Sequence, residues 1–510
     1  MFTAPGRYSL AIFLFPVVLF LLSSCYDSVQ SDVYNVRGKV TLCSCGNDTV
    51  ELTLVSGEYG TSETVTSTDG EYVFNNVWKG TYTVIPRKEG YTFSPASREV
   101  TVSDTGVDLN DFDTIASWEK RFGPADRNGE AFSVIQTPDC GYLIAGYRDV
   151  SVSGVENLDM WIVKTDLYGR VIWENTAGDV NYPDIAYSAI IDSGGNIVVG
   201  GYSDSADAGS INILKYVLSG SEGNSWTITG GWSNYYGTAL LPEKSFYIFE
   251  TMDSGYFAGG YSGGTAGNLE DIYGVKTGGS GEHLSTFSFG MEDAERSMSA
   301  EMIIRDPLYA GGLIMAGESR GSSGATKGLL LKRNSLYSDG WNREYTAKNP
   351  LTGGDSFFTS FNSVKEAGDG GYICGGTVKR NSSSTRDIYI IKTDINGNEE
   401  WGRLIDSGSD EFDCHVVLTG DGGYAAGFTC MSLTDKNYNF VIVKISSSGD
   451  IQWKREYDAG GDSDDFLRSL FYTYDGGYAI GGITTSFYGK RQVFIIKTDE
   501  NGDLPFKIIK

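Results

Sequence analysis

Only two imidazoles occur in 510 residues, His283 and His415. Neither neighbours a recognisable nucleophile, and the chain holds no His-Glu-x-x-His pair. His415 lies in the apolar run from Cys414 to Thr419, where a structural place near an axis or core suits it better than catalysis. Carboxylates are the abundant chemistry. They cluster as Asp126 with Glu130, Asp179 with Asp184, Glu292 with Asp293, Asp410 with Glu411 and Asp413, and Asp462 with Asp464 and Asp465. Such oxygen-rich groups suit Ca²⁺, although no Asp-x-Asp-x-Asp-Gly ligand loop is present, and a solvated rim is the plainer reading. Paired acids also do glycosidase work, but with 66 acids their adjacency carries no information. Asp410, Asp413, Asp464 and Asp465 are the candidate ligand contacts among them, with Trp232, Tyr235 and Tyr236 as candidate aromatic contacts. Packing explains those aromatics almost as well.

Seven cysteines are too few for a disulfide scaffold. Cys414 and Cys430 flank a hairpin whose loop is Asp421–Gly423, which sets them opposite each other and predicts a disulfide in an oxidising compartment. Cys43-Ser44-Cys45 has no second pair at zinc-site spacing, so oxidation or a plain strand-and-turn role is expected. Cys140 and Cys374 read as small core residues.

Charge excludes one function class. With 40 basic and 66 acidic residues the formal charge is 40 − 66 = −26, which repels a phosphate backbone and rules against nucleic acid. Solubility, or attraction of cations or a basic partner, is what remains.

The elements that position these groups are announced by repetition. Asp-x-Gly-Tyr turns recur at Asp139, Asp253, Asp369, Asp421 and Asp475, with a weaker form at Asp192. Trp or Phe recurs at Trp118, Trp173, Trp226, Phe287, Trp341, Trp401, Trp453 and Phe506, giving seven intervals of 52 to 61 residues. Within each interval two apolar strands flank the turn. A third strand carries Lys164, Lys215, Lys276, Lys332, Lys392, Lys444 or Lys497, and a fourth carries the aromatic residue. Four short strands, repeated seven times, describe β-propeller blades that shield one another in a closed ring. Lysines present once per blade are structural, pairing with loop acids or lying at a rim. The strand at Trp118 is the favoured closure of the last blade, with Leu504–Lys510 as the alternative. The Gly-x-x-x-Trp element, as in Gly169 to Trp173 and Gly397 to Trp401, resembles the blades of quinoprotein-like propellers and of bacterial surface propellers.

Ahead of the ring, residues 34–113 alternate apolar and polar in short runs bounded by Gly, Asn and Asp, which reads as a small sandwich. Gly38-Lys39-Val40, Thr68 to Phe74, Gly80 to Val84 and Gly90-Tyr91 resemble the carboxypeptidase regulatory-like and Cna-B-like families. That resemblance implies a prealbumin-like or Ig-like spacer without chemistry of its own. At the N-terminus, Arg7 precedes a 13-residue apolar run, Leu10–Leu22, and then Ser23-Ser24-Cys25. This matches the h-region of a signal peptide, and the small residues before the Cys resemble a bacterial lipobox. The resemblance implies cleavage of residues 1–24, a lipid on Cys25, and a tether over 25–33.

The expected chain is therefore all-β: a sandwich at 34–113, then a seven-bladed propeller at 114–510, lipid-anchored in the bacterial envelope and facing the periplasm or the exterior. The favoured function is binding of a protein or glycan at one face of the ring, with no cofactor unless Ca²⁺. The alternative is a propeller enzyme, either a quinoprotein-like oxidoreductase or a glycan-active hydrolase or lyase.

Overall fold

The computed structural model describes residues 33–504, apart from 42–49, 57–59, 67–69, 89–92, 106, 109–110, 115–116, 152–156, 205–208, 220–226, 238–240, 264–269, 290–293, 322–323, 348–353, 382–383, 462 and 486–488. Cys25, Cys43, Cys45, Trp226, Glu292, Asp293, Asp462 and Phe506 lie outside the described residues. Every regular element among the described residues is a strand.

The first unit is a β-sandwich. One sheet holds Val33–Thr41 between Glu71–Trp78 and the short strands Phe112–Thr114 and Val107–Asp108. The other runs Gly60–Val65, Glu51–Ser56, Gly80–Arg87, Arg98–Val102. Period-two alternation drives this: in Glu71–Trp78, Tyr72 and Phe74 point inward while Glu71, Val73 and Asn75 point out. Asn76 then adopts a left-handed backbone (φ 59°), which returns Val77 to the core. Val36, Leu52, Leu54, Val84 and Phe112 fill the space between the sheets.

Seven four-stranded antiparallel sheets follow as blades of a β-propeller. Their first strands are Gly129–Gln136, Asp184–Ile191, Glu243–Glu250, Ala294–Met302, Phe358–Glu366, Glu411–Leu418 and Asp465–Tyr472. Each first strand packs on the sheet before it, and Gly129–Gln136 packs on Tyr478–Thr485 of the last blade, so the ring closes. Trp118–Phe122 supplies the missing fourth strand of blade 7, pairing Trp118 with Lys497 and Phe122 with Val493. A single parallel bridge, Thr326 to Phe358, links blades 4 and 5.

Burial follows position in the blade. The third strand of blade 5, Asp387–Thr393, is buried at every residue because neighbouring blades cover both its faces. The fourth strand of blade 6, Ile451–Tyr457, alternates because its outer edge meets solvent.

The recurrent phrase has a physical reading, residue by residue. The turn Asp receives the third-strand Lys in every blade: Lys164 to Asp139 at 3.0 Å, Lys215 to Asp192 at 2.9 Å, Lys276 to Asp253 at 2.6 Å, Lys392 to Asp369 at 2.8 Å, Lys444 to Asp421 at 2.8 Å, Lys497 to Asp475 at 2.9 Å, and Lys332 to Asp306. In blades 1, 6 and 7 the same carboxylate accepts a Thr hydroxyl two residues earlier, as Thr473 to Asp475 at 2.5 Å, and a Gly amide two residues later, as Gly477 to Asp475 at 3.2 Å. The glycine before Tyr leaves no room: a Cβ on Gly477 would lie 2.1 Å from the Thr498 carbonyl oxygen and 2.6 Å from Lys497 Nζ. The Tyr meets the Trp of the preceding blade, with centroids 5.5 Å apart for Trp118–Tyr142 and 5.7 Å for Trp453–Tyr478. That Trp also reaches the next blade's outer turn, where Trp118 Nε1 donates to the Leu167 carbonyl at 2.8 Å.

Two expectations need correction here. Blade 2 docks through Trp232, which pairs with Lys215 just as Trp401 pairs with Lys392. In blade 3, Ser285 holds that register and Phe287 lies two residues on; Tyr337 of blade 4 fills the seam instead, 4.8 Å from Phe287.

Candidate functional site

Repeating residues build the ring, so function is sought where the repeat breaks down. Every first strand carries a bulge near its middle, between Ala131 and Ser133 in blade 1, and at corresponding places in the others. The bulged residues are Phe132, Tyr187, Phe246, Met298, Asn362, Asp413 (with Cys414) and Arg468. First strands are innermost, so these side chains form one layer around the axis. Unlike the lysines and tyrosines of the blades, they share no chemical type.

The residue after the bulge explains why the layer is rigid. Ser133 Oγ accepts the Ala189 amide of blade 2 at 3.2 Å, Ser363 Oγ accepts the Val416 amide of blade 6 at 3.1 Å, and Ser469 Oγ accepts the Val134 amide of blade 1 at 3.0 Å. His415 takes this place in blade 6 and is half-buried. Burial, with Arg468 and Lys365 nearby, holds its imidazole down at about 4, so it is neutral at pH 7.

The layer has two halves. On blades 1–3, Phe132, Tyr187 and Phe246 touch in series, with centroids 4.7 Å and 5.0 Å apart. Tyr147 flanks Phe132 at 6.2 Å, Tyr261 flanks Phe246 at 5.7 Å, and the Arg296 guanidinium lies 4.9 Å from the Tyr261 ring. Burial pushes the Tyr147 and Tyr187 phenols up to about 12, so both remain protonated donors. On blades 5–7 the layer is polar. Arg468 donates from Nε to Glu130 at 2.8 Å and from Nη1 to Asp413, so one side chain spans blades 6, 7 and 1. Arg491 lies 3.6 Å from the other Glu130 oxygen, and Tyr147 donates to that same oxygen at 3.2 Å. Asp413 itself is held in the left-handed region (φ 57°), a conformation that non-glycine residues adopt at a cost. Burial raises its carboxyl, against the opposing pull of Arg468 and Arg386.

Next to Asp413 is an aromatic cluster. Phe412, Tyr438 and Phe466 are mutually in contact at 5.2 to 6.1 Å, and the Arg386 guanidinium stacks 3.7 Å from the Phe412 centroid. Arg386 is fixed by Asp410, which also accepts the Tyr438 hydroxyl at 3.2 Å. Burial alone would raise the Asp410 carboxyl, but its hydrogen bonds from Arg386 bring it below its ordinary value.

The sequence-predicted site residues disperse. Asp413 belongs to the bulge layer, bonded to Arg468, and Asp410 holds Arg386 and Tyr438 of the neighbouring aromatic cluster. Asp464 accepts the Tyr438 amide at 3.1 Å and fixes a loop. Asp465 is fully buried and accepts the Ala459 amide at 2.7 Å, a structural clamp with counterparts in Asp184 and Glu411. Trp232 sits in a blade seam, 6.1 Å from Tyr256, and Tyr236 is buried with its hydroxyl on the Gly281 carbonyl at 2.6 Å. Tyr345 and Tyr457 make the same bond in their blades, so Trp232 and Tyr236 belong to the repeat and only Tyr235 is exposed. Cys414 and Cys430 are free buried thiols, contrary to the expected disulfide. The irregularity at Asp413 and Cys414 displaces Cys414, and Glu411 faces Cys430 instead. No group of three or more His, Cys, Asp or Glu converges as a metal site among the described residues.

The bulged aromatics and Arg468 were missed in the sequence. Their signal is one variable residue before a serine at a fixed distance ahead of the turn: Phe-Ser, Tyr-Ser, Met-Ser, Asn-Ser and Arg-Ser.

Residues 33–116 match the family model of the BOS complex subunit NOMO1-like second β-sandwich domain, in agreement with the sandwich seen at the N-terminus. No curated protein matches the chain. Solved structures similar to it are propeller proteins of unlike function. The β-propeller domain of the trilobed protease from Pyrococcus furiosus is 12% identical, with 76% of this chain and 100% of that chain covered and a TM-score of 0.41. Drosophila Semaphorin 1b extracellular domains 1–2 are 8% identical, covering 74% and 86%, with a TM-score of 0.43. The polysaccharide lyase Uly1 is 9% identical, covering 74% and 91%, with a TM-score of 0.43.

Proposed function

We propose that this chain is a noncatalytic binding module, lipid-anchored through Cys25 in the bacterial envelope, whose propeller takes a glycan at the mouth of its axis. The carrying observation is the bulge layer: in a ring of near-identical blades, the side chains that differ most converge at one level, aromatic on one side and hydrogen-bonding on the other. Sugars present an apolar face and a hydroxylated edge, and aromatic rings with a few fixed polar groups are what such a surface needs. A folded protein partner would call for a broad contact area rather than a narrow axial mouth. Glycan-array binding by the detergent-solubilised full-length protein tests this. Retention that falls on Tyr187→Ala supports it, and retention by no glycan counts against it. Release of new reducing ends or unsaturated sugars would favour the enzyme alternative instead. For the anchor, Cys25→Ala should move the protein from the membrane to the soluble fraction.

A further inference from the structure

We propose that the axial layer is a subsite for a neutral pyranose, which lays one face on Phe132, Tyr187 and Phe246 and turns its hydroxyl edge to Asn362, Asp413 and Arg468. This rests on the glycan reading above and narrows it to a ligand class.

Three observations select a neutral ring. First, Asn362 Oδ1 is buried and has no hydrogen-bond partner in the structure. An acceptor in that state costs about 1–3 kcal/mol unless something donates to it, and it occupies the bulge position next to that of Asp413 around the ring. Second, Asp413 gives one oxygen to Arg468 and keeps 30% of its side-chain surface open. Two neighbouring acceptors beside a guanidinium suit hydroxyls, which donate and accept at once. Third, the local charges already balance. Glu130 and Asp413 stand against Arg468 and Arg491, with Arg468 shared between both carboxylates, while Arg386 is paired with Asp410 and Lys365 lies 3.8 Å from Glu301. An added uronate would compete with Asp413 for Arg468, and an added ammonium would leave a charge in excess; a neutral sugar disturbs neither. His415, neutral at pH 7, adds no charge to this level.

The opposite wall complements that edge. Centroid spacings of 4.7 and 5.0 Å along Phe132–Tyr187–Phe246, with successive rings inclined by 52° and 69°, give a contiguous apolar wall of ring faces and edges against which a sugar ring can rest.

The test is calorimetric titration of the full-length protein in detergent. One arm uses neutral tetrasaccharides (cellotetraose, maltotetraose, xylotetraose, mannotetraose and galactotetraose). The other uses tetragalacturonate and the tetramer of glucosamine. At least one neutral sugar should bind about tenfold more tightly than either charged one. Asn362→Ala should weaken it about tenfold, the loss of one good hydrogen bond. Asp413→Asn should do the same, and because that change also loosens Arg468, melting curves accompany both variants; Asn362→Ala should melt as the parent does. Tightest binding by a charged tetramer, lost with Tyr187→Ala, would overturn the neutral class while leaving the axis as a glycan site. Binding that survives Asn362→Ala and Tyr187→Ala alike, or none by any sugar, would overturn both.

Discussion

Three blades form a natural series for testing what the recurrent Asp does. Lys497 is 1% exposed and bonds Asp475, itself 20% exposed; the residue before the docking Trp in that blade is Ser117. Lys444 bonds Asp421 and, at 3.2 Å, the Gln452 amide oxygen at the corresponding place. Lys392 bonds Asp369 and, at 2.8 Å, the carboxylate of Glu400 there. Neutralising the Asp should therefore hurt in a fixed order. Asp475→Asn leaves a buried ammonium without its carboxylate, a loss of about 3–5 kcal/mol. Asp421→Asn leaves a neutral acceptor in reach, and its carboxylate is 53% exposed, so about 2 kcal/mol is expected. Asp369→Asn leaves Glu400 as full counterion and should cost about 1 kcal/mol or less. Guanidinium unfolding followed by tryptophan fluorescence reads this directly, because Trp118, Trp232, Trp341, Trp401 and Trp453 lie in the blade seams. Equal midpoints for the three variants, or the reverse order, would refute the claim that the Asp exists to neutralise the Lys. Adding Glu400→Gln to Asp369→Asn should then raise the loss to the Asp421→Asn size, because the double variant reproduces the neutral pair that Asp421→Asn forms with Gln452.

Three further outcomes follow from the seams and the axis. Trp232→Ala should destabilise the propeller by about 3 kcal/mol, whereas Tyr235→Ala, at 53% exposure, should leave its melting unchanged; differential scanning calorimetry separates them. Burial holds the Asp465 carboxyl up at about 6, above its ordinary 3.8, so the folded state favours the protonated form. Its contribution is present below pH 4 and lost as pH rises through 6. Asp465→Asn should therefore stabilise at pH 7 and make no difference at pH 4. Taking variant minus parent cancels the opposing trend from His415, whose lowered value makes acid destabilising. Finally, alkylation under denaturing, nonreducing conditions followed by mass spectrometry should label both Cys414 and Cys430 as free thiols.

Much of the ring was legible because repetition multiplies weak signals. Seven units, the strand grammar, the structural reading of the lysines and the N-terminal closing strand all follow from columns of like residues. Single-blade exceptions were not legible. In blade 2 the fourth strand begins late, after residues 220–226, so Trp232 lies 17 residues past Lys215, whereas Trp173 lies 9 past Lys164; Trp226 mimicked the expected period. The site was hidden for a different reason. A bulge adds one residue and flips the alternation midway, so Phe132 or Arg468 reads as one more strand residue rather than an axial one. In blade 6 the left-handed turn at Asp413 also shifted Cys414 out of register, which is why a disulfide looked sound from spacing alone.

The residues that hold the ring are distinct from the residues that use it, and one paired measurement tests that division. Melting temperature and affinity for the best neutral tetrasaccharide should be determined together for Trp401→Ala and Tyr187→Ala. The division predicts that Trp401→Ala lowers melting while the folded fraction binds normally, and that Tyr187→Ala loses binding in the folded fraction with a smaller fall in melting. If Trp401→Ala abolished binding in folded protein, or Tyr187→Ala unfolded the ring with affinity intact, the division would be wrong.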